Sequence, residues 1–419
     1  MSDRIQAAET LAVTPRLGLF VAETTHLVPA TSSPANFRFG EVTSTLQINP
    51  IVLATLAPDL GPIAAFVGNW VGNGFNTIFR PNSTQTPTKL PVAAGGDNIL
   101  ELNLTSETLS FSPSLGSVPN RGMVQGDALL NGIPYLQSIS DVTVAGQSIG
   151  IHAEPGLWMA IPHTTDPLEP PTVARMGSIP HGTTINAQGT STSFAGKPTI
   201  PSVDITPNAL PAGGKIKFPS QTAATGGTAR IPQDLGPWIT AGTITQAMLD
   251  DPNSVLRNHI AGQTITHTTQ IMISTNPAKP ILLPKNPAPQ PAFGGGTDNI
   301  AFLQGDGALQ KPNAQTFQME AIFWIETVQH SLKIPVFIPG QAPLTLQSPE
   351  VAGPGLRPQI FIVTPPHAIP VAKTITFTTT QIQYSQLVIL NFNGLAWPHV
   401  SVATLVPAGQ GTVPSSAWA

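Results

Sequence analysis

The 419-residue chain has no cysteine, which excludes disulfides, thiolate metal sites and cysteine nucleophiles. Charge is scarce too: Asp, Glu, Lys and Arg make up 10% of the residues, against roughly 25% in an ordinary soluble domain. With a net charge of −4 and no Lys/Arg run, the chain lacks the clustered positive charge that phosphate neutralisation needs. A nucleic-acid partner is therefore excluded. No stretch approaches the roughly 18 consecutive apolar residues of a membrane-spanning helix. The opening MSDRIQAAETL lacks the basic-then-apolar order of a signal peptide, so the expected location is the cytoplasm. H-E-x-x-H, P-loop and G-x-G-x-x-G patterns are all missing.

What is present points to β-structure. Hydrophobic residues are 41% of the chain, enough for a large core. Proline (45) and glycine (37) together make about a fifth of it, spread between apolar runs, where they suppress long helices and punctuate strands. In residues 317–327, Phe317, Met319, Ala321, Phe323 and Ile325 share one face at period two. Gln318, Glu320 and Glu326 lie on the other face, together with Ile322 and Trp324, so that face is expected to be partly covered. One helical stretch stands out at 243–260, where Asp251 followed by Pro252 reads as an N-cap with proline at N1. A surface this poor in charge also suggests self-association into a homo-oligomer.

The histidines are the candidate reactive groups. His152 and Glu154, in IHAEPGLWM, point to one face of a strand and suit a local hydrogen-bonded pair or acid–base work. Pro155 and Gly156 are expected to break the ladder there. His181 sits between Pro180 and Gly182 in SIPHGTTINAQG, where a turn can aim its ring into a cavity. Trp70 and Trp158 read as core plugs, and Tyr135 and Tyr384 as buried hydroxyls or ligand-facing donors. Small Ser401 and Ala403 share a strand face with His399 and leave room there for a flat ring.

Taken together, four stretches resemble the nitrobindin family of calycin-type, fatty-acid-binding-protein-like barrels. LGPIAAFVGNWVGNG (60–74) is similar to the opening G-x-W strand. GIPYLQSISDVTVAGQSIGIHAEPGLWM (132–159), IPHGTTINAQG (179–189) and TTTQIQYSQLVILNFNGLAWPHVSVATL (378–405) follow as its later strands. The resemblance implies a mainly β fold: a large antiparallel calycin-like barrel with a long Pro/Gly-rich insertion containing a short helical segment. Residues 60–189 are expected to form the first part of the barrel and 311–407 the closing part. Residues 190–310 would be insertion and connector, 1–59 a segment packing on the barrel, and 408–419 a tail. It also implies heme b as cofactor, with His399 as the iron ligand and His181 on the distal or substrate side. Trp158 and Tyr384 complete the expected cofactor-binding set. The implied activity is ferric-heme chemistry on a small oxidant, peroxynitrite or peroxide, of isomerase or peroxidase type. Two other classes fit the same residues: a heme-free carrier of a small hydrophobic ligand, and a structural, assembly-forming β protein.

Overall fold

The computed structural model describes residues 59–81, 98–114, 116–143, 146–210, 213–217, 240–241, 244–276, 295–305, 313–347, 360–392, 394–408 and 413–418. The expected N-terminal segment 1–59 therefore lies, except for Asp59, outside the described residues. Ten strands build the barrel: β1 (Gly68–Pro81), β2 (Asn98–Phe111), β3 (Ala128–Asp141), β4 (Ile149–Ile161), β5 (Thr172–Ile179), β6 (Thr183–Ala195), β7 (Thr264–Ser274), β8 (Gln315–Ile334), β9 (Lys373–Phe392) and β10 (Leu395–Pro407). Each pairs antiparallel with the next, and β1 closes on β10 from Trp70↔Pro407 to Thr77↔Val400. The fold is thus a closed, ten-stranded, up-and-down barrel. The G-x-W strand makes the closure tight: a Cβ on Gly72 would meet the Thr404 carbonyl oxygen at 2.0 Å. Only glycine lets β10 approach so closely.

One end of the lumen is sealed by aromatic rings. A short 3-10 turn, Gly61–Phe66, lies against that end, and Trp70 Nε1 donates to the Phe66 carbonyl at 2.7 Å. The Phe66 ring stacks on Phe111 (5.1 Å) and meets Trp158 (5.1 Å) and Phe323 (5.8 Å) edge-on. Trp70 is the buried plug its motif suggested.

Period two sorts β8 as expected, with one exception. Met319, Ala321, Phe323 and Ile325 are buried on the inner row, and Ile322, Trp324 and Glu326 are buried on the outer. Phe317, expected to face inward with them, is 66% exposed. A bulge shifts the β8–β9 register between Thr316 and Gln318 and turns Phe317 out.

The stretch 190–310, expected outside the barrel, contributes to it: β6 runs on to Ala195, and β7 lies wholly within it. The part between them covers the outer faces of the neighbouring strands. Two short helices, α1 (Gln246–Asp250) and α2 (Ser254–Ile260), carry Met248, Leu249, Leu256 and Ile260 into the same apolar cluster as the barrel. Gln383 Nε2 on β9 donates outward to the Leu256 carbonyl at 3.2 Å. Asp251 is not the N-cap of the second helix; Asn253 holds that position and Asp251 closes the first. The Asp251 carboxylate instead accepts from the Val203 and Asn253 amides and pairs with Arg257. The ends of β8 and β9 at Ile334 and Lys373 carry a separate small core of Leu332, Ile334, Phe337, Val363, Ile369, Ile375, Phe377 and Trp418. Among the described residues, no helix is long and apolar enough to cross a membrane.

Candidate ligand-binding site

Side chains from non-adjacent strands meet across the lumen, and they identify its lining. The inner rows comprise Glu107 on β2, Tyr135 and Gln137 on β3, His152 and Glu154 on β4, Arg175 on β5, Tyr384 and Gln386 on β9, and His399 on β10. Above the aromatic seal lies a polar layer. Arg175, 2% exposed, donates to Glu154 Oε1 (2.8 Å), Tyr135 Oη (3.0 Å) and Gln386 Oε1 (2.7 Å). Its guanidinium also lies 5.4–5.9 Å from the ring centres of Tyr135, Trp158 and Phe323, where the ring faces favour a cation. Tyr135 donates to Glu154 in turn. Glycine makes the space: a Cβ on Gly177 would meet Glu154 Oε1 at 2.4 Å, and one on Gly156 would meet the Tyr135 ring at the same distance.

Two buried carboxyls in this layer have opposite characters. Burial alone would raise the pKa of Glu154, but Arg175, with bonds from His152 and Tyr135, holds it near 2. Glu107 has no cation beside it. Burial pushes it up to about 7 against bonds from Tyr384 (2.6 Å), Thr105 (3.2 Å) and Gln137 (3.3 Å). One carboxyl is a fixed charge; the other holds its proton into the neutral range.

The histidines gather at the end of the lumen opposite the seal. His152 stands six residues along β4 from Trp158, roughly 20 Å of extended chain. His152 Nε2 lies 3.3 Å from Glu154 Oε2, the local pair that the H-x-E spacing suggested. The His181 ring is 5.7 Å from that of His152 and bonds the Ile151 backbone. Burial and the adjacent His152 lower its pKa. His181 belongs to the β5–β6 turn, which Gly182 closes by donating to the Ile179 carbonyl with a φ of +105°.

Between these two imidazoles the barrel wall opens. The β4–β5 ladder runs from Ile161↔Thr172 only as far as Gly156↔Gly177. Pro155 follows, has no N–H to continue the ladder, and leaves that side of β4 from Ile149 to Pro155 without a strand partner among the described residues. On its other side the β3–β4 ladder passes through Pro155 without interruption, and its irregularity falls at Ile139/Ser140. The Pro-Gly step therefore breaks one ladder of the two.

His399 completes the end. Its Nδ1 donates to the Thr77 carbonyl at 2.9 Å, an assignment fixed by the acceptor-only partner. Burial, with His152 and His181 nearby, pushes its pKa down to about 4. The imidazole is neutral at physiological pH, with Nε2 as its lone-pair donor. Of the expected set, then, His399 and His181 share one end of the lumen with His152. Tyr384 lies in the polar layer below them, bonded to Glu107, and Trp158 belongs to the aromatic seal. Arg175 and Glu107 were not singled out from the sequence. Their signal was there: each is a charged residue on the same alternating row as core residues, Val173 beside Arg175 and Leu109 beside Glu107. Among the described residues, no group of three or more His, Asp or Glu side chains is arranged to hold a bare metal ion.

No protein-family model and no curated protein sequence matches the chain. Among solved structures, the crystal structure of Rv2717c from M. tuberculosis is similar at 9% identity and a TM-score of 0.31, covering 85% of this chain and 100% of that one. At that level the likeness carries no argument.

Proposed function

We propose that the protein is a ligand-binding barrel that would take heme b at its histidine-lined end, with His399 as the residue that would hold the iron, as its resemblance to the nitrobindins implies. The observation that carries this reading is the bond from His399 Nδ1 to Thr77. It fixes the tautomer and orients the ring, the arrangement that makes an imidazole a good iron ligand through Nε2. The low pKa supports it, because a neutral ring binds metal without first losing a proton. The donor set thus fits a heme with one protein ligand, and the gap beside Pro155 gives a ligand a way in. The polar layer limits its depth: Arg175, Glu154, Tyr135 and Gln386 fill the middle of the lumen, so a large ring is held above them. Bound heme would supply ferric-iron chemistry on a small oxidant such as peroxynitrite or peroxide. His181, exposed at the gap with its pKa lowered by burial and by His152, would meet that oxidant first. His152 and Glu154 would lie below it as a hydrogen-bonded pair.

Titrating the purified protein with hemin and following the Soret band tests this directly. Wild type should bind hemin. His399→Ala should fold, bind more weakly and show a shifted band. Wild type that takes up no hemin would end the heme reading. A heme-free carrier is then favoured by the contrast within the lumen, where Ile273, Met319 and Ala321 form an apolar wall beside the polar one.

A further inference from the structure

Among the described residues, two amide oxygens on the lumen-facing rows of the barrel wall are left without a donor. Asn76 on β1 and Asn103 on β2 stand directly opposite each other in the register, and they are 7% and 2% exposed. The Oδ1 atom of each is buried and has no hydrogen-bond partner. Both belong to lumen-facing rows. Asn76 continues the row of Trp70, Gly72 and Gly74, and its Nδ2 donates to Ser401 Oγ at 3.1 Å, two residues from His399. In that bond the amide nitrogen donates, which leaves the Asn76 oxygen over. Asn103 continues the row of Glu107 and Thr105 on β2.

An acceptor removed from water and given no donor destabilises the fold, so buried amides are nearly always satisfied. Two such oxygens side by side, at the level of the binding end, are the arrangement expected where the missing donor comes from a bound molecule. We propose that Asn76 and Asn103 form a subsite that recognises an N–H or O–H donor on an otherwise apolar ligand. The apolar part would lie against Met319, Ala321 and Ile273 on β8 and β7. This subsite rests on the reading of the histidine-lined end as a binding site, and it adds the chemical class of what is read there. It discriminates as well as binds, because a ligand lacking the donor leaves both oxygens unpaired.

A matched pair of probes tests it: indole, whose N–H is a donor with no acceptor, and 1-methylindole, in which that donor is capped. By calorimetric titration of the full-length protein, indole should bind roughly tenfold more tightly, the worth of about one good hydrogen bond. In Asn76→Leu and Asn103→Leu the preference should fall to within about twofold, and both variants should melt above wild type because a stranded oxygen is gone. Should a leucine variant fail to fold, Asn103→Ala removes the same oxygen with less added bulk. Equal affinity of wild type for the two probes, no binding of either, or a preference that survives both substitutions would overturn the subsite. Hemin titration of the same proteins separates the two readings. Selective indole binding without hemin binding removes the heme alone, and hemin binding without an indole preference removes the donor subsite alone.

Discussion

The two ends of this lumen are made of different chemistry. At the sealed end Phe66, Phe111, Trp158 and Phe323 pack ring against ring, and the indole N–H of buried Trp70 is satisfied by the turn beneath it. At the other end His152, His181 and His399 converge with Asn76 and Asn103, and two amide oxygens have no partner. The first arrangement is what stability alone selects. The second costs stability, and such costs persist where binding needs them. Between the two, the Arg175–Glu154 pair is fully satisfied, whereas Glu107 lies buried without a cation.

The largest effects should come from the sealed end and the layer above it. Trp70→Ala should cost about 3–5 kcal/mol, as large aromatic deletions in a core do. A loss under about 1 kcal/mol in chemical unfolding would show that the seal is not the foundation of the barrel. Arg175→Leu should cost a similar amount, about 3–5 kcal/mol, because it strands the Glu154 carboxylate. Adding Glu154→Gln should recover a large part of that loss. Double-mutant energies that simply add would break the assignment of the pair as one unit.

Next in size is a pH effect. The folded pKa of Glu107 is raised, so the folded state binds its proton more tightly than the unfolded chain does. Its contribution is therefore complete below about pH 4.5 and is lost as pH rises toward 7, by up to about 3 kcal/mol. The lowered pKa values of His259, His330 and His399 act in the opposite sense between about pH 4 and 6.5. The effect is thus read as the difference between wild type and Glu107→Gln, whose gap in unfolding free energy should change across that window. A gap constant with pH would place the Glu107 proton elsewhere.

The smallest expected effect on stability is the sharpest test of the contrast. His399→Ala removes one hydrogen bond, to the Thr77 carbonyl, and should cost about 1 kcal/mol, yet weaken hemin binding. His152→Ala should lose stability through its bond to Glu154 before it alters the heme spectrum. If the two variants exchange these behaviours, the binding end has been read with the wrong histidine at its centre.

Much of the barrel was legible because strand alternation is local. Residues 317–327 announced both faces of β8, Trp70 of the G-x-W segment announced a core plug, and H-x-E announced a bonded pair two residues apart. Phe317 defeated the same rule, because a bulge is a property of two paired strands and is invisible in one. β7 was missed as a barrel strand because its Thr-rich run, THTTQIMIS, gains its meaning from β6 and β8 beside it.

The sequence by itself determined that this chain would be rich in strands, without cysteine chemistry, and carry an alternating row of residues through each barrel segment. Those follow from composition and from a two-residue period that any extended chain obeys. Only the tertiary structure decided which rows face each other. Arg175 and Gln386 are 211 positions apart, and Glu107 and Tyr384 are 277 apart. Whether a buried charge is paired, or an amide oxygen stranded, depends on closure of the barrel, because hydrogen bonds reach about 3 Å and take no account of distance along the chain.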